Sequence, residues 1–339
     1  MPEKEAPLQI EKQAAEFREK IDLLRKEVAK AIVGHAEVVD QLIITILSGW
    51  HALLEGVPGI GKTLLVRMIA QCMNLKFSRI QFTPDLMPAD IIGTNIIVED
   101  AEGRKTFQFQ RGPVFGNVIL ADEINRATPK TQSALLECMQ EKAVTVQGVR
   151  YALDEPFFVL ATQNPIEMEG TYPLPEAQVD RFLFKIEVRA PKLEDLMGII
   201  QRTTGPEQGG VKTVLRGEEI LRMRTLAREV PIATHVSNYV ARLVLATQPG
   251  SERSSPDCRR YLRYGASPRA AQSLVIAAKV LALMRGRYNV AFSDIREVAA
   301  PSLRHRLILN FEAEAEGIRP ATLIDKLLEQ VPELEQRAA

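Results

Sequence analysis

The sequence lacks an excess of charge of either sign, a cysteine pattern and a long apolar run. Its 339 residues include 43 Lys and Arg against 43 Asp and Glu, so the formal net charge is zero. This balance, with 46% hydrophobic residues, excludes a disordered chain and a strongly basic nucleic-acid sleeve. The composition is that of an ordinary globular protein.

Cysteine and histidine are scarce and scattered. Cys72, Cys138 and Cys258 lie far apart, which excludes a disulfide framework and a zinc site made of cysteine alone. Such a set predicts a reducing compartment. The four histidines also lack the spacing of metal ligands; they are His35, His51, His235 and His305.

The most apolar stretch, residues 42–54, is interrupted by Ser48, Gly49 and His51. It is shorter than the ~18 uninterrupted residues that a spanning helix needs. The charged start of the chain does not have the pattern of an export signal. We therefore expect a cytoplasmic protein without membrane insertion.

Apolar periodicity predicts an α/β core in residues 1–190. Apolar residues spaced by three and four, from Ile10 to Val28, predict an N-terminal helix over 8–30. Short apolar strands then alternate with helices, which is the pattern of a parallel sheet covered on both faces. The predicted strands are Ala52–Leu54, Lys76–Gln81, Asn117–Ala121, Phe157–Thr162 and Phe182–Val188.

Two segments interrupt this alternation. Residues 95–98 and 106–109 flank a polar turn, and residues 144–146 and 149–151 flank a Gln-Gly pair. Strand-like runs that flank such turns predict β-hairpins. We therefore expect two hairpin inserts in the α/β core.

The pattern is helical throughout after Pro191, which places a domain boundary at Ala190 and predicts an all-α domain over 191–339. Residues 1–190 hold 21 basic and 26 acidic side chains, a net charge of −5. Residues 191–339 hold 22 and 17, a net of +5, and their last part, 311–339, is an acidic tail with 3 and 7. The two domains therefore carry opposite charge.

A phosphate-binding loop lies between the first predicted strand and the helix that follows. Its residues fit G-x-x-x-x-G-K-[ST] and are Gly56, Val57, Pro58, Gly59, Ile60, Gly61, Lys62 and Thr63. Glycines let backbone N–H groups converge on phosphate oxygens, and the helix N-terminus adds partial positive charge. Lys62 would reach the β- and γ-phosphates, and Thr63 would offer its hydroxyl to Mg²⁺. The loop predicts binding of ATP or ADP with Mg²⁺.

Polar residues follow two further apolar strands. Asp122 ends one of them and is suited to hold Mg²⁺ through water. Glu123, one residue on, can orient and deprotonate a water, which favours hydrolysis over transfer to an acceptor. Asn164 follows the next strand and could align that water, although an Asn-Pro pair also commonly starts a turn.

Together these segments resemble the AAA+ ATPases and, within them, the MoxR family. The most specific stretches are LEGVPGIGKT (54–63), QRGPVFGNVILADEINRA (110–127), ATQNP (161–165), EGTYPLPEAQVDRF (169–182) and RHRLILN (304–310). The resemblance implies an α/β P-loop NTPase core with a parallel sheet and two β-hairpin inserts, followed by an all-α lid. It runs from about Val28 to Val331.

The resemblance also implies a role for each motif. Residues 56–63 match Walker A, Val118–Glu123 match Walker B, and Asn164 matches sensor 1. Arg181 looks like the arginine finger that acts in the neighbouring subunit, and Arg269 looks like sensor 2 on the lid. The implied catalytic residues are Lys62, Glu123, Asn164 and Arg181. From the residues alone, either arginine could equally form a surface ion pair.

The remaining nucleotide contacts implied by the resemblance are Leu64, beside the loop, and Val33 and Gly34, which we expect near the adenine. His35 follows Gly34 where many relatives are expected to have Gln. This departure makes the base contacts less well defined than the phosphate contacts.

MoxR relatives are regarded as chaperone-like ATPases that form rings and often work with proteins carrying a von Willebrand factor A domain. The resemblance therefore implies a homo-oligomer, a hexamer, which remodels or matures client protein complexes with such a partner. One alternative is a nucleic-acid translocase, but neither hairpin is net basic. The best basic cluster interleaves arginines with tyrosines; its members are Arg253, Arg259, Arg260, Arg263, Tyr261 and Tyr264. A second alternative is a nucleotide-gated binding module without turnover, which Glu123 argues against.

Overall fold

The computed structural model describes residues 5–99, 101, 103–164, 170–205 and 210–334, with side chains from Glu11 onward. Residues 165 and 169 of the quoted motifs and residues 335–339 of the acidic tail lie outside the described residues. Within the described part, no helix is both long and apolar enough to cross a membrane.

The first domain contains six helices among the described residues: α1 (Glu5–Ala31), α2 (Ala36–Ser48), α3 (Lys62–Cys72), α4 (Pro88–Ile92), α5 (Pro129–Glu141) and α6 (Glu176–Val179). Its strands are β1 (His51–Glu55), β2 (Phe77–Gln81), β3 (Gly93–Glu99), β4 (Lys105–Arg111), β5 (Val118–Asp122), β6 (Ala143–Val146), β7 (Val149–Ala152), β8 (Phe158–Gln163) and β9 (Phe182–Glu187). Five of them form one parallel sheet in the order β2-β5-β8-β1-β9. The predicted parallel sheet is present with each strand within a residue or two of its expected place.

Both faces of this sheet are buried. Val118 and Leu120 of β5 pack into one apolar cluster with α1, α2 and α3, whereas Ile119 and Ala121 pack into a second cluster with α5. Side chains of a strand alternate between faces, so a strand covered on both sides is apolar throughout. This is why the strands of this sheet are continuous apolar runs rather than alternating ones.

The two predicted hairpins are β3–β4 and β6–β7, and they pack on each other. The ring of Phe109 stacks on that of Tyr151 with centroids 4.1 Å apart. The side-chain amide of Asn95 donates to Gln147 Oε1 at 2.5 Å. The two inserts therefore form one packed unit.

The second domain is built from α7 (Leu193–Thr204), α8 (Gly217–Glu229), α9 (Thr234–Ala246), α10 (Pro256–Tyr261), α11 (Pro268–Met284), α12 (Phe292–Leu303), α13 (Phe311–Ala315) and α14 (Pro320–Gln330). It differs from a purely helical lid in one detail: β10 (Leu262–Tyr264) and β11 (Ile308–Leu309) form a short antiparallel pair. Strands of two and three residues are too short to show an alternating pattern in a sequence.

The described part of the acidic tail is folded onto the lid. Arg260 donates to Glu312 and Glu316, each at 2.7 Å, and Leu323, Ile324 and Leu327 of α14 are buried. The tail is therefore part of the second domain rather than an extension from it.

His51, at the start of β1, joins three elements inside the core. Its Nδ1 accepts from the backbone N–H of Val159 at 2.9 Å, so its Nε2 carries the proton and donates to the Met139 carbonyl at 3.2 Å. Burial lowers the pKa of His51 from 6.5 to about 4. A protonated ring could no longer accept from Val159, and the folded state therefore holds the neutral imidazole.

The pH dependence of stability should report this histidine. The unfolded chain takes up a proton below its pKa of 6.5 while the folded chain does not until about 4, so stability is lost as the pH falls through this window. Lowering the pH from about 7 to about 5 should cost about 2 kcal/mol at this residue, measured by urea unfolding. In His51→Gln the loss should shrink by that amount. A loss equal to that of the wild type would contradict the assignment.

Candidate nucleotide-binding and hydrolysis site

The loop over residues 56–61 joins β1 to the start of α3. Gly59 and Gly61 have φ angles of 82° and 84°, in the left-handed region that favours glycine. Gly61 is the N-cap of α3, so the first N–H groups of the helix point into the loop. This is the cradle that phosphate oxygens require.

Lys62 lies at the start of α3 and turns back over the loop. Its Nζ donates to the backbone carbonyls of Gly56 and Val57, the latter at 3.0 Å. Partial burial lowers the pKa of Lys62, while the nearby carboxylates of Asp122 and Glu123 act in the opposite direction. The ammonium group is thus placed between the loop and the two acidic residues.

Two cavities meet at this loop. The polar one, about 410 Å³, is lined by Pro58, Gly59, Ile60, Gly61, Lys62, Thr63, Leu64, Arg79, Asp122, Glu123, Thr162, Gln163 and Asn164. The other, about 230 Å³, is lined largely by apolar side chains from α1, α3 and α7 and the loops beside them. Residues 59–61 and Leu64 line both. A charged end next to an apolar end fits a nucleotide, whose phosphates and base differ in the same way.

The residues expected around the adenine divide between two places. Val33 and His35 line the apolar cavity. Gly34, with φ of 70°, faces Asp195 instead: a Cβ there would lie 2.8 Å from the Asp195 carboxyl carbon. The absence of a side chain at Gly34 therefore allows α7 to pack close to the loop after α1. Gly34 supports the apolar cavity indirectly, because this packing brings residues of α7 and Val33 together in its wall.

Asp122 and Glu123 lie at the carboxyl end of β5 and are joined through Thr162 of β8. The Thr162 hydroxyl donates to Asp122 Oδ1 at 2.6 Å and accepts from the Glu123 N–H at 2.8 Å. Arg79 of β2 donates to Asp122 Oδ2 from Nε and Nη2, at 3.0 and 2.6 Å. Strands on both sides of β5 thus orient the Asp122 carboxylate.

Glu123 itself has a left-handed backbone, with φ of 56°. Its Oε2 accepts from Gln81 Nε2 and from Arg126 Nη1, each at 3.0 Å. A non-glycine residue in this region is held there by its surroundings, and such conformations cluster at functional sites. Here the turn aims the carboxylate into the polar cavity.

Asn164 is buried directly after β8 and lines the same cavity. Since β5 and β8 are parallel neighbours, their carboxyl ends bring Asn164 close to the acidic pair. The structure therefore brings Lys62, Thr63, the acidic pair and Asn164 together at one edge of the sheet.

Neither Arg181 nor Arg269 is among the described residues that line the two cavities. Arg181 lies between α6 and β9, and its Nη1 donates to the Leu136 carbonyl of α5 at 2.9 Å. Arg269 lies in the first turn of α11, with Nη1 3.8 Å from Asp180 Oδ2. Both arginines therefore contact protein groups outside the cavities of their own chain.

Comparison with known proteins agrees with this arrangement. Residues 51–184 match the family described as ATPase family associated with various cellular activities (AAA), and residues 255–327 match the AAA lid domain. Chaperone MoxR1 of Mycobacterium tuberculosis is 46% identical over 90% of this chain and 80% of its own length. The chain belongs to the MoxR family of AAA+ ATPases.

A second relative and a solved structure match this chain over nearly all of its length. Protein MoxR of Paracoccus denitrificans is 33% identical over 89% of this chain and 92% of its own. The crystal structure of an ATPase candidate from Cytophaga hutchinsonii is 43% identical, with a TM-score of 0.88 over 98% of this chain and 99% of that one. The predicted AAA+ core, the helical lid and the family resemblance are confirmed.

Sequence reasoning missed several polar residues that build the MoxR site. Thr162 directly follows the apolar run from Phe157 to Ala161, and Arg79 interrupts β2. A polar side chain near the end of a buried strand is the signal that could have identified Thr162. Arg79 carried no such signal, because its partner Asp122 lies on another strand.

The basic cluster suggested for nucleic acid is partly neutralised within the lid. Arg260 pairs with Glu312 and Glu316 and lies over the ring of Tyr261 at 4.8 Å. Tyr261 is buried and donates to Glu316 at 2.9 Å. Side chains held in this way form part of the lid's packing, which weakens the case for a phosphate-binding surface here.

Thr162 offers a test of the geometry. Thr162→Val keeps the shape but removes both hydrogen bonds, so Asp122 and Glu123 lose their common support. We expect kcat for ATP hydrolysis to fall about 10- to 100-fold while the circular dichroism spectrum is retained. Thr162→Ser, which keeps the hydroxyl, should retain most of the rate. Wild-type turnover by the valine variant would show that the bridge is dispensable.

Proposed function

We propose that this MoxR-family protein hydrolyses ATP to ADP and phosphate and uses the energy, as a ring, to remodel or mature partner protein complexes. The observation that carries the hydrolytic part is the placement of Asp122 and Glu123 across one cavity from Lys62 and Thr63. A phosphate loop alone would bind nucleotide, whereas a second carboxylate beside it supplies a base for water.

The chain's own groups account for substrate placement. The N–H groups of residues 59–63 and the Lys62 ammonium would hold the β- and γ-phosphates of ATP. Mg²⁺ would neutralise charge on these phosphates, held by the Thr63 hydroxyl and, through water, by Asp122. The oxygen donors present suit this ion. The apolar cavity with Val33 and Leu64 would take the adenine.

Glu123 would act as the general base. Its carboxylate takes a proton from the attacking water as the γ-phosphorus separates from the bridging oxygen of the departing ADP. Asn164, at the end of the adjacent strand, would donate to or accept from this water and fix its direction. Gln81 and Arg126 both donate to Oε2 of Glu123, at 3.0 Å, so the carboxylate can be held through this oxygen while Oε1 takes the proton.

Glu123→Gln tests hydrolysis directly. The amide cannot take a proton but has nearly the same shape, so we expect kcat to fall by about 10²–10⁴-fold with nucleotide affinity retained. Steady-state phosphate release and equilibrium binding of a fluorescent ATP analogue would measure the two. Exposed Glu252→Gln in a lid loop is the matched control. Undiminished turnover in Glu123→Gln would refute the general-base assignment.

A ring is the second part of the proposal, and the expected form is a hexamer. Arg181 donates to the Leu136 carbonyl outside the cavities of its own chain, which supports a finger acting on the neighbour's ATP. The first domain has a net charge of −5 and the second +5, so the lid of one subunit can attract the core of the next. Head-to-tail contacts form a ring when the rotation from one subunit to the next closes after a whole number of subunits.

The client and the partner rest on the family alone. The relative named chaperone MoxR1 supports a protein client. The partner with a von Willebrand factor A domain is proposed from the family resemblance. The scattered cysteines, which favour a reducing compartment, support the cytoplasm as the place of this work. Co-purification with Glu123→Gln in ATP, which should hold the bound state, would identify both.

Arg181→Ala tests the ring and its finger together. We expect light scattering to find a hexamer with ATP and Mg²⁺ for both wild type and variant, and assembly to weaken with salt. Turnover of the variant should fall by about 10³-fold or more, because a finger guanidinium stabilises charge in the transition state. A wild-type protein that stays monomeric with ATP at every concentration would sink the ring proposal.

A further inference from the structure

Asp180, which immediately precedes Arg181, is bound by the lid of its own chain. Ser267 Oγ donates to Asp180 Oδ2 at 2.8 Å, and Arg306 Nε donates to Oδ1 at 2.8 Å. Arg269 lies 3.8 Å from Oδ2. Three lid residues from two separate segments therefore converge on one core carboxylate.

Arg306 holds the backbone on both sides of Arg181. Its Nη2 donates to the carbonyls of Asp180 at 3.1 Å and of Phe182 at 2.7 Å, and its Nη1 to that of Leu183 at 3.1 Å. Only 1% of the Arg306 side chain is exposed, so these contacts are shielded from water and are costly to break.

The same guanidinium is anchored in the lid. Arg306 Nη2 donates to Ser273 Oγ of α11 at 3.0 Å, and Nη1 donates to the carbonyl of Ser302 in α12. The planar fork of an arginine, with its five N–H donors, can join several acceptors in a fixed arrangement. A movement of α11 and α12 must therefore carry residues 180–183 with it.

Arg269 makes the weakest of the three contacts. It lies farther from Asp180 than Arg306 does, and 47% of its side chain is exposed. A contact of this kind contributes little to stability and exchanges readily. Arg269 is thus free to leave Asp180 for a phosphate while Arg306 keeps the backbone attached to the lid.

We propose that Asp180 and Arg306 form a latch through which the lid of one subunit positions Arg181 for the active site of the next. Both act as positioning residues. The proposal rests on the proposed function, since it requires ATP hydrolysis and a finger acting between subunits. In this proposal, the position of Arg181 at a neighbour's active site depends on the lid of the subunit to which Arg181 belongs. The state of one subunit's lid therefore affects hydrolysis in the adjacent subunit.

Asp180→Asn tests the latch with little change of shape, because the amide has the size of the carboxylate but removes the charge that neutralises the buried Arg306 guanidinium. We expect kcat to fall about 10- to 100-fold, with KM and nucleotide affinity changed less than about twofold. Asp180→Glu, which restores the charge, should recover part of the rate. Asp257→Asn is the matched control, because Asp257 pairs with Lys326 inside the lid at 2.7 Å. Wild-type kcat in Asp180→Asn would overturn the proposal.

Mixed rings separate positioning of the neighbour's finger from damage to the subunit's own site. Asp180→Asn subunits keep their own loop and base, whereas Glu123→Gln subunits have an inactive site but an intact latch and finger. In a one-to-one mixture, turnover per Asp180→Asn subunit should rise toward about half the wild-type value, because each site in a ring adjoins one neighbour. No rise would mean that Asp180 acts within its own subunit, and the proposal would be wrong.

Arg181→Ala mixed with Glu123→Gln distinguishes failure of the latch from failure of the proposed function. If this mixture recovers activity and the Asp180→Asn mixture does not, the finger acts between subunits but the latch does not position it. If neither recovers although both rings assemble, the finger does not act between subunits and both proposals fall. Unfolding curves of the single variants ensure that the rings compared are folded.

Discussion

Parallel pairing of β1, β5 and β8 is the constraint on which this protein's site depends. Parallel strands end at a common edge, so residues more than a hundred positions apart in sequence meet there without any special loop. The phosphate loop follows β1, the acidic pair ends β5, and Asn164 follows β8. The alternation of strands and helices thus places these functional residues together at one edge of the sheet.

Charges at the end of a buried strand need partners, and this need explains the network around Asp122. The carboxylate is nearly buried, and leaving it unpaired in such a place would cost several kcal/mol. Arg79 and Thr162 satisfy it from the two adjacent strands. The same hydroxyl accepts from the Glu123 N–H and so links the Asp122 carboxylate to the residue that follows it. The contacts of Arg79 and Thr162 therefore both stabilise the buried strand end and orient the residues of the site.

The contact between lid and core also depends on a buried charge that needs a partner. Arg306 is buried between the two domains. The Asp180 carboxylate neutralises its charge, and its N–H groups donate to the carbonyls of Phe182 and Leu183 in β9. His305 adds a contact to the Phe182 carbonyl at 3.1 Å, and Arg304 pairs with Glu187 at 3.0 Å. A short segment after α12 thus fastens the helical domain to the edge strand of the sheet. The arrangement favours movement of the lid together with residues 180–183.

The sequence by itself determined the local and repetitive features of this protein. Apolar runs located β1, β2, β5, β8 and β9, the Gly-rich pattern located the phosphate loop, and the helical pattern after Pro191 indicated the lid, because each depends on residues close in the chain. Only the tertiary structure decided the partners of those features. Arg79 and Asp122, or Asp180 and Arg306, are distant in sequence, and no local pattern encodes which charge neutralises which. Gly34 shows the same limit, because the close approach of Asp195 that requires a glycine exists only once α7 has packed against the loop after α1.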